Sequence, residues 1–198
     1  MLWAACPSCA KRMAVDDYPP GALQVGFLAA TDYTDCLVAG TAMCANYVLD
    51  ARRFSPEELR HSLSEAGLDH TQVADVQAWL GERGFELRPL VGELSDDPPL
   101  GIGWWLLERG YPVICVVNKF AGNADYNHAI VIIGMEGGGS AQSAEAVYIL
   151  DPASPKRIER WERLKFLHYW GSAGRVMLPL FETPPEARPV GRRTGESP

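Results

Sequence analysis

The sequence lacks any apolar run close to the roughly 20 residues that a membrane-spanning helix needs. It also lacks a basic stripe, because 25 acidic residues outnumber 18 Lys and Arg and give a net charge of −7. Neither nucleic acid nor a membrane is therefore expected as a partner.

Cysteine is scarce: there are five among 198 residues, which is too few for a disulfide scaffold. Cys6 and Cys9 form a CxxC pair, but no second CxxC and no His pair at ligand spacing follows. The sequence therefore predicts no metal and no cofactor, and it leaves the role of Cys6 and Cys9 open. The first residues also lack the basic and apolar segments of a secretory signal, so we expect a cytoplasmic protein with reduced thiols.

The composition, 47% hydrophobic and 22% charged, is typical of one globular domain. We expect a peripheral N-terminal segment over residues 1–20, a folded domain over 21–181, and a disordered tail rich in Pro and Arg over 182–198.

Hydrophobic periodicity predicts helices first and strands afterwards. Ser55 is expected to cap a helix over residues 54–67, and Thr71 a helix over 69–84. The later segments are a strand from residue 85, a short helix over 101–109, strands over 112–117, 128–134 and 146–150, a helix over 155–171 and a strand over 175–180. This order predicts an α+β fold with an antiparallel sheet.

Cys36 precedes a run of small residues, Val38 to Tyr47, that is typical of a closely packed, buried helix. A cysteine in the first turn of such a helix faces unsatisfied N–H groups and the positive end of the helix dipole, which favour its thiolate. Cys36 is thus a candidate nucleophile. The alternative is that it is a small hydrophobic residue of the core.

Two further residues stand at the ends of predicted strands. His128 begins one apolar strand, and Asp151 directly follows the next. With Cys36 they would form a Cys-His-Asp triad, in which the imidazole takes the thiol proton and the carboxylate orients the ring. Alternatively, His128 is a core histidine and Asp151 begins an Asp-Pro turn.

Several segments together resemble a known family. They are DC-x2-A-x3-M-x2-NY from residue 35, GYPVI at 110–114, NHAIVIIG at 127–134 and VYILDPA at 147–153. In this order they resemble the papain-like cysteine peptidases of the double-glycine leader-processing type, family 39 of the cysteine peptidases. The resemblance implies a helical lobe with Cys36 at a helix N-terminus, packed on a sheet lobe with His128 and Asp151, and a substrate cleft between the lobes.

The chain departs from that family at the oxyanion hole. The family has a Gln six residues before the nucleophile, where this chain has Ala30, and a Gly after it, where this chain has Leu37. Loss of an oxyanion donor typically slows such chemistry roughly a hundred-fold or more. Gln24 is a candidate replacement, provided that the chain between it and Cys36 loops out.

Two acidic residues, Asp32 and Asp35, lie just before the nucleophile. If ionised, they are expected to repel an oxyanion and to raise the pKa of the Cys36 thiol.

The sequence thus predicts a cysteine peptidase or amidase that acts on a peptide or protein, for example a precursor or leader peptide, through a thioester acyl-enzyme. Two alternatives remain. One is an acyltransferase or peptide cyclase that uses the same triad. The other is a degenerate papain-like domain that binds a peptide or protein partner without cleaving it. The oligomeric state stays open.

Overall fold

The computed structural model describes residues 17–120, 123, 126–137 and 139–184. Most of the expected N-terminal segment, with Cys6 and Cys9, and most of the expected C-terminal tail therefore lie outside the described residues.

Three helices come first among the described residues, as the periodicity predicts. Helix α1 spans Cys36–Val48, α2 spans Pro56–Glu65 and α3 spans Val73–Gly81. The predicted capping box of α2 is confirmed, because Ser55 and Glu58 satisfy each other's backbone N–H groups.

The cap of α3 differs from the prediction. Its N-cap residue is Gln72, one position after Thr71. The Thr71 hydroxyl instead donates to the carboxylate of Asp69 at 2.7 Å, so a local turn uses the group that was expected to cap the helix.

In the described part of the chain, seven strands form one sheet in which every strand pairing is antiparallel. They are β1 (Phe85–Leu87), β2 (Leu90–Val91), β3 (Val113–Asn118), β4 (Asn127–Glu136), β5 (Ala146–Leu150), β6 (Glu159–Glu162) and β7 (Val176–Glu182). Their order is β1-β7-β3-β4-β5-β6, and β2 also pairs with β7. The predicted α+β class, with a helical lobe packed on an antiparallel sheet, is confirmed.

The predicted helix over residues 155–171 is wrong in its first half. Strand β6 replaces that half, and helix α4 (Arg163–Ser172) begins only after it. In β6, Trp161 is buried while its neighbours Arg160 and Glu162 are exposed, which is the period of two of an edge strand. Pairing with β5 therefore overrides the helical spacing of the apolar residues.

The predicted short helix over residues 101–109 is present as a helical turn that includes the π-helical stretch Trp104–Glu108. It ends at Gly110, whose φ of 66° is in the left-handed region that suits glycine. Trp105 is buried and stacks on Phe181 of β7, so it packs in the core.

The sheet separates two apolar cores. On one face, alternate residues such as Ile114 and Val131 pack with helices α1 to α3. On the other face, Ile130 and Ile132 pack with Trp161 and with helix α4. No helix within the described ranges is long and apolar enough to cross a membrane.

One close backbone contact aligns the chain that leads to α1. The Leu23 N–H donates to the Ile133 carbonyl at 2.7 Å, and beside it a Cβ on Gly134 would lie 2.9 Å from the Ala22 Cα. Glycine at this position in β4 thus lets the incoming segment approach the sheet.

We expect Gly134→Ala to lower the free energy of unfolding by about 1–3 kcal/mol, because the added methyl group overlaps backbone. The matched control is Gly81→Ala at the end of α3, where a Cβ meets nothing within 4 Å. Urea denaturation of both variants tests this, and equal stability of the two would contradict the proposed contact.

Candidate active site

Helix α1 brings Cys36 to the edge of the sheet. Cys36 is its first residue and is half-buried, while the residues from Leu37 to Ala45 are all buried. The helix packs directly on β3 and β4, since even a Cβ on Gly40 would be in ordinary van der Waals contact with Val131, at 3.5 Å, and with Ile114. The helix position, and with it the position of the thiol, is therefore fixed by core packing.

The sulfur of Cys36 lies beside the first residues of β4. The backbone N–H of Ala129 donates to Sγ, with 3.4 Å between the two atoms, and the side chain of His128 lies close enough to the thiol to lower its pKa. The amide of Leu37 in the first turn of α1 also favours the thiolate. These donors stabilise a thiolate more than a thiol.

His128 is held from its other side by Asp151, the residue directly after β5. The ring Nε2 lies 2.6 Å from Asp151 Oδ1, and the Ala153 N–H donates to the same oxygen at 2.9 Å. Since the carboxylate occupies Nε2, Nδ1 is the nitrogen that is left to face the thiol. The structure thus brings Cys36, His128 and Asp151 together in one row.

The pKa values of this row shift in the directions that an ion pair requires. Burial alone would raise the pKa of the Cys36 thiol, but the hydrogen bonds from His128 and Ala129 outweigh it and lower that pKa. Burial alone would lower the pKa of His128, but the hydrogen bonds to Asp151 and Cys36 raise it to about 9. Both shifts favour the thiolate and imidazolium form over the neutral pair.

Asp35 does not act on the thiol as expected. Its carboxylate is fully buried, 2.8 Å from the Arg60 guanidinium, and accepts from the Thr31 hydroxyl at 2.5 Å. His70 Nε2 lies 3.5 Å from the other carboxylate oxygen. The expected rise in the Cys36 pKa is wrong: that pKa is lowered, and the charge of Asp35 is compensated by Arg60.

Gln24 is not brought to the thiol. It is exposed, and its neighbour Leu23 is bonded to Ile133, which is five residues along β4 from His128, or roughly 17 Å at the usual rise of a strand. Ala30, at the position of the family's oxyanion Gln, lies beside the site instead, because its N–H donates to the Pro152 carbonyl at 2.9 Å.

Sequence reasoning missed residues that shape the approach to His128. Asn118, at the end of β3, is 2% exposed and donates to the Asn127 side chain at 2.9 Å. The side-chain Oδ1 of Asn118 accepts from the Phe120 N–H at 2.7 Å. The next residue, Lys119, reaches Asp151. An amide at the end of an otherwise apolar strand was the signal that could have found this turn.

The other described cysteines, Cys44 and Cys115, are fully buried, and burial raises the pKa of both thiols. They lie in α1 and β3, as the sequence predicts. Within the described parts of the chain, no group of three His, Cys, Asp or Glu side chains is arranged to hold a metal ion.

The profile of one protein family, described as papain-like cysteine protease AvrRpt2, matches residues 20–165. The chain belongs to this family. The match includes all of the row from Cys36 to Asp151, so this papain-like cysteine protease has its Cys, His and Asp within the region that defines the family. A comparison with curated protein sequences finds no significant match.

Solved structures show the same fold at low sequence identity. A double-glycine protease from an AMS/PCAT transporter, solved with its leader peptide, has a TM-score of 0.57 and 20% identity, over 83% of this chain and 96% of that one. The peptidase domain of Streptococcus ComA has a TM-score of 0.55 and 21% identity, over 79% and 96%. A C39-like peptidase from Bacillus anthracis has a TM-score of 0.56 and 16% identity, over 80% and 94%. The resemblance to double-glycine peptidases is thus confirmed in the papain-like fold.

We expect iodoacetamide to alkylate Cys36 rapidly well below pH 8.5, the usual pKa of a thiol, because the pKa of Cys36 is lowered. In His128→Ala the rate at pH 6 should fall at least about ten-fold. Peptide-resolved mass spectrometry separates Cys36 from Cys6 and Cys9, and the buried Cys44 serves as an unlabelled internal control. Ordinary thiol titration of Cys36 in the unaltered protein would contradict the ion pair.

We expect Arg60→Met to lower the free energy of unfolding by about 2–3 kcal/mol, because Asp35 then stays buried without its guanidinium partner. Arg52→Met is the control, since Arg52 is an exposed arginine and its loss should cost less than about 0.5 kcal/mol. Thermal unfolding at pH 7.5 measures both variants. Equal stability would show that Asp35 does not depend on Arg60.

Proposed function

We propose that this papain-like cysteine peptidase cleaves amide bonds of a peptide or protein, with Cys36 as nucleophile, His128 as acid and base, and Asp151 as the group that orients His128. One observation carries the proposal: the Ala129 N–H, next to His128, donates to Cys36 Sγ at 3.4 Å, and His128 Nε2 lies 2.6 Å from Asp151 Oδ1, so that thiol, imidazole and carboxylate lie in one row. The row has the geometry that acyl transfer through a thiolate requires.

In the first half of the reaction, the Cys36 thiolate attacks the carbonyl carbon of the substrate. A C–S bond forms, and the carbonyl π electrons move to oxygen. When the tetrahedral intermediate collapses, the C–N bond breaks and the His128 imidazolium gives its proton to the leaving nitrogen. The products are an amine and a thioester on Cys36.

In the second half, neutral His128 takes a proton from water as the water oxygen attacks the thioester carbon. The C–S bond then breaks, the carboxylic acid leaves, and the proton returns to the Cys36–His128 pair. Asp151 keeps Nε2 occupied in both halves, so that Nδ1 stays turned toward the reacting atoms.

The oxyanion has support from α1. The backbone N–H of Cys36 lies at the N-terminus of a 13-residue helix, where the dipole favours negative charge. Ala30 has no side-chain donor to add, so we expect a slower enzyme than one with Gln at that position.

The neighbours in fold support a peptide substrate. The double-glycine protease was solved with a leader peptide, and we propose that a peptide or precursor segment binds at Cys36 in this chain. We place this activity in the cytoplasm, where thiols stay reduced, because a disulfide on Cys36 would block the nucleophile.

Acylation by an activated ester tests the chemistry without knowledge of the substrate. We expect p-nitrophenyl acetate to give a burst of nitrophenol and an acetyl group on Cys36, seen by mass spectrometry after acid quenching. His128→Ala should slow acylation at pH 7 by about a hundred-fold or more, and Cys36→Ala should abolish the burst. Cys44→Ala, which removes a buried thiol from the same helix, should keep it.

Cleavage of a peptide library with mass-spectrometric mapping then identifies the bonds that are cut. Added glycinamide separates hydrolysis from acyl transfer, because an acyltransferase or cyclase would yield an amide in place of an acid. Acylation of Cys36 with free acid as the product supports the peptidase. A folded protein that neither acylates at Cys36 nor cuts any peptide would overturn the proposal and leave the binding domain as the better account.

A further inference from the structure

The two oxygens of the Asp151 carboxylate have different partners. Oδ1 accepts from His128 and from the Ala153 N–H. Oδ2 faces the ammonium of Lys119 at 3.5 Å. Asp151 is only 4% exposed, so these partners and not water supply most of its compensation.

Lys119 is brought to this oxygen by the same hairpin that carries His128. In the register of β3 with β4, Val117 pairs with His128, and Lys119 lies two positions beyond Val117, on the same face of the sheet by the period of two. The ammonium also lies 5.4 Å from the centre of the Trp161 ring, within the range of a cation–π contact. Its side chain is 43% exposed, so one side of Lys119 stays in water.

We propose that Lys119 is a positioning residue that acts on His128 through Asp151: it holds the second carboxylate oxygen and shares the carboxylate charge with the imidazole. This inference rests on the proposed roles of His128 and Asp151 in the peptidase reaction. The triad predicted from the sequence consists of Cys36, His128 and Asp151, and it does not include Lys119.

Sharing of the carboxylate charge matters for proton transfer by His128. His128 must give up a proton to the leaving amine and later hold none while it activates water. A buried carboxylate with no other cation would bind the imidazolium more tightly and delay that release. Burial alone would raise the pKa of Asp151, but His128, the Ala153 N–H and, least of the three, Lys119 lower it. The positive charge of Lys119 also opposes a further rise in the pKa of His128.

Other charged groups lie near Cys36, His128 and Asp151, and one of them provides a control variant. Glu159 of β6 interacts electrostatically with Asp151 and with Lys165 of α4. Lys165 also lies 4.3 Å from the centre of the Trp161 ring, on which Lys119 lies too. Lys165→Met therefore removes a lysine from the same aromatic side chain, but one that acts on Glu159 and is not paired with Asp151.

The test is an NMR titration of the His128 imidazole in the full chain, unaltered and as Lys119→Met, Lys119→Arg and Lys165→Met. His128→Ala identifies the signal among the four histidines. Met fills the space of the lysine stem without its charge, so we expect the His128 midpoint to rise by about half a pH unit, as suits a partly exposed cation. Arg should restore the original midpoint, and Lys165→Met should leave it unchanged.

The pH dependence of Cys36 alkylation gives a second reading. Loss of the positive charge should also raise the pH at which the Cys36 thiolate forms. The pH at which alkylation of Cys36 becomes fast should therefore be higher in Lys119→Met and unchanged in Lys119→Arg. A midpoint of His128 that stays or falls in Lys119→Met, or an equal shift in Lys165→Met, would overturn the inference about Lys119 alone. A midpoint near 6.5 with ordinary thiol behaviour in the unaltered protein would overturn the proposed function as well.

Discussion

The hydrogen bond between His128 Nε2 and Asp151 is the interaction on which the rest of the site depends. It decides which ring nitrogen faces the thiol, and it makes a buried imidazolium stable despite the desolvation that opposes it. The bond joins residues at the ends of β4 and β5, so adjacent antiparallel strands hold it in place. Helix α1 packs on β3 and β4 and so places the thiol beside the other ring nitrogen, Nδ1.

Buried charge next to the nucleophile is tolerated because it is compensated in separate groups. Asp35 turns to Arg60 and the Thr31 hydroxyl, while Asp151 turns to His128. Two carboxylates near one thiol would otherwise raise its pKa, yet the pKa of Cys36 is lowered. The number of acidic residues near a nucleophile therefore says little until the partner of each carboxylate is known.

Local patterns in the sequence predicted the three residues that the structure brings together. Cys36, His128 and Asp151 stand at the ends of segments with clear periodicity, and such ends meet at one edge of a sheet. Features that depend on contacts between distant segments were not predictable. They are strand β6 in place of a helix, the pairing of Asp35 with Arg60, and the attachment of the segment with Gln24 to a part of β4 far from His128. In each case the local pattern was compatible with two states, and a tertiary partner chose between them.

In the proposed mechanism, activation of the thiol and stabilisation of the oxyanion come from different parts of this fold, and the sequence differs from the double-glycine pattern in the second of them. The thiolate depends on His128 and on the Ala129 amide, which belong to the sheet. The second oxyanion donor would come from the segment before α1, where Ala30 stands. A cysteine nucleophile is charged before the substrate arrives, so loss of that donor slows the step in which charge moves to oxygen without disarming the thiolate. An intact Cys36–His128–Asp151 row beside an alanine at position 30 is therefore consistent with a slow and selective peptidase, because substrate contacts elsewhere in the cleft must then supply more of the transition-state stabilisation.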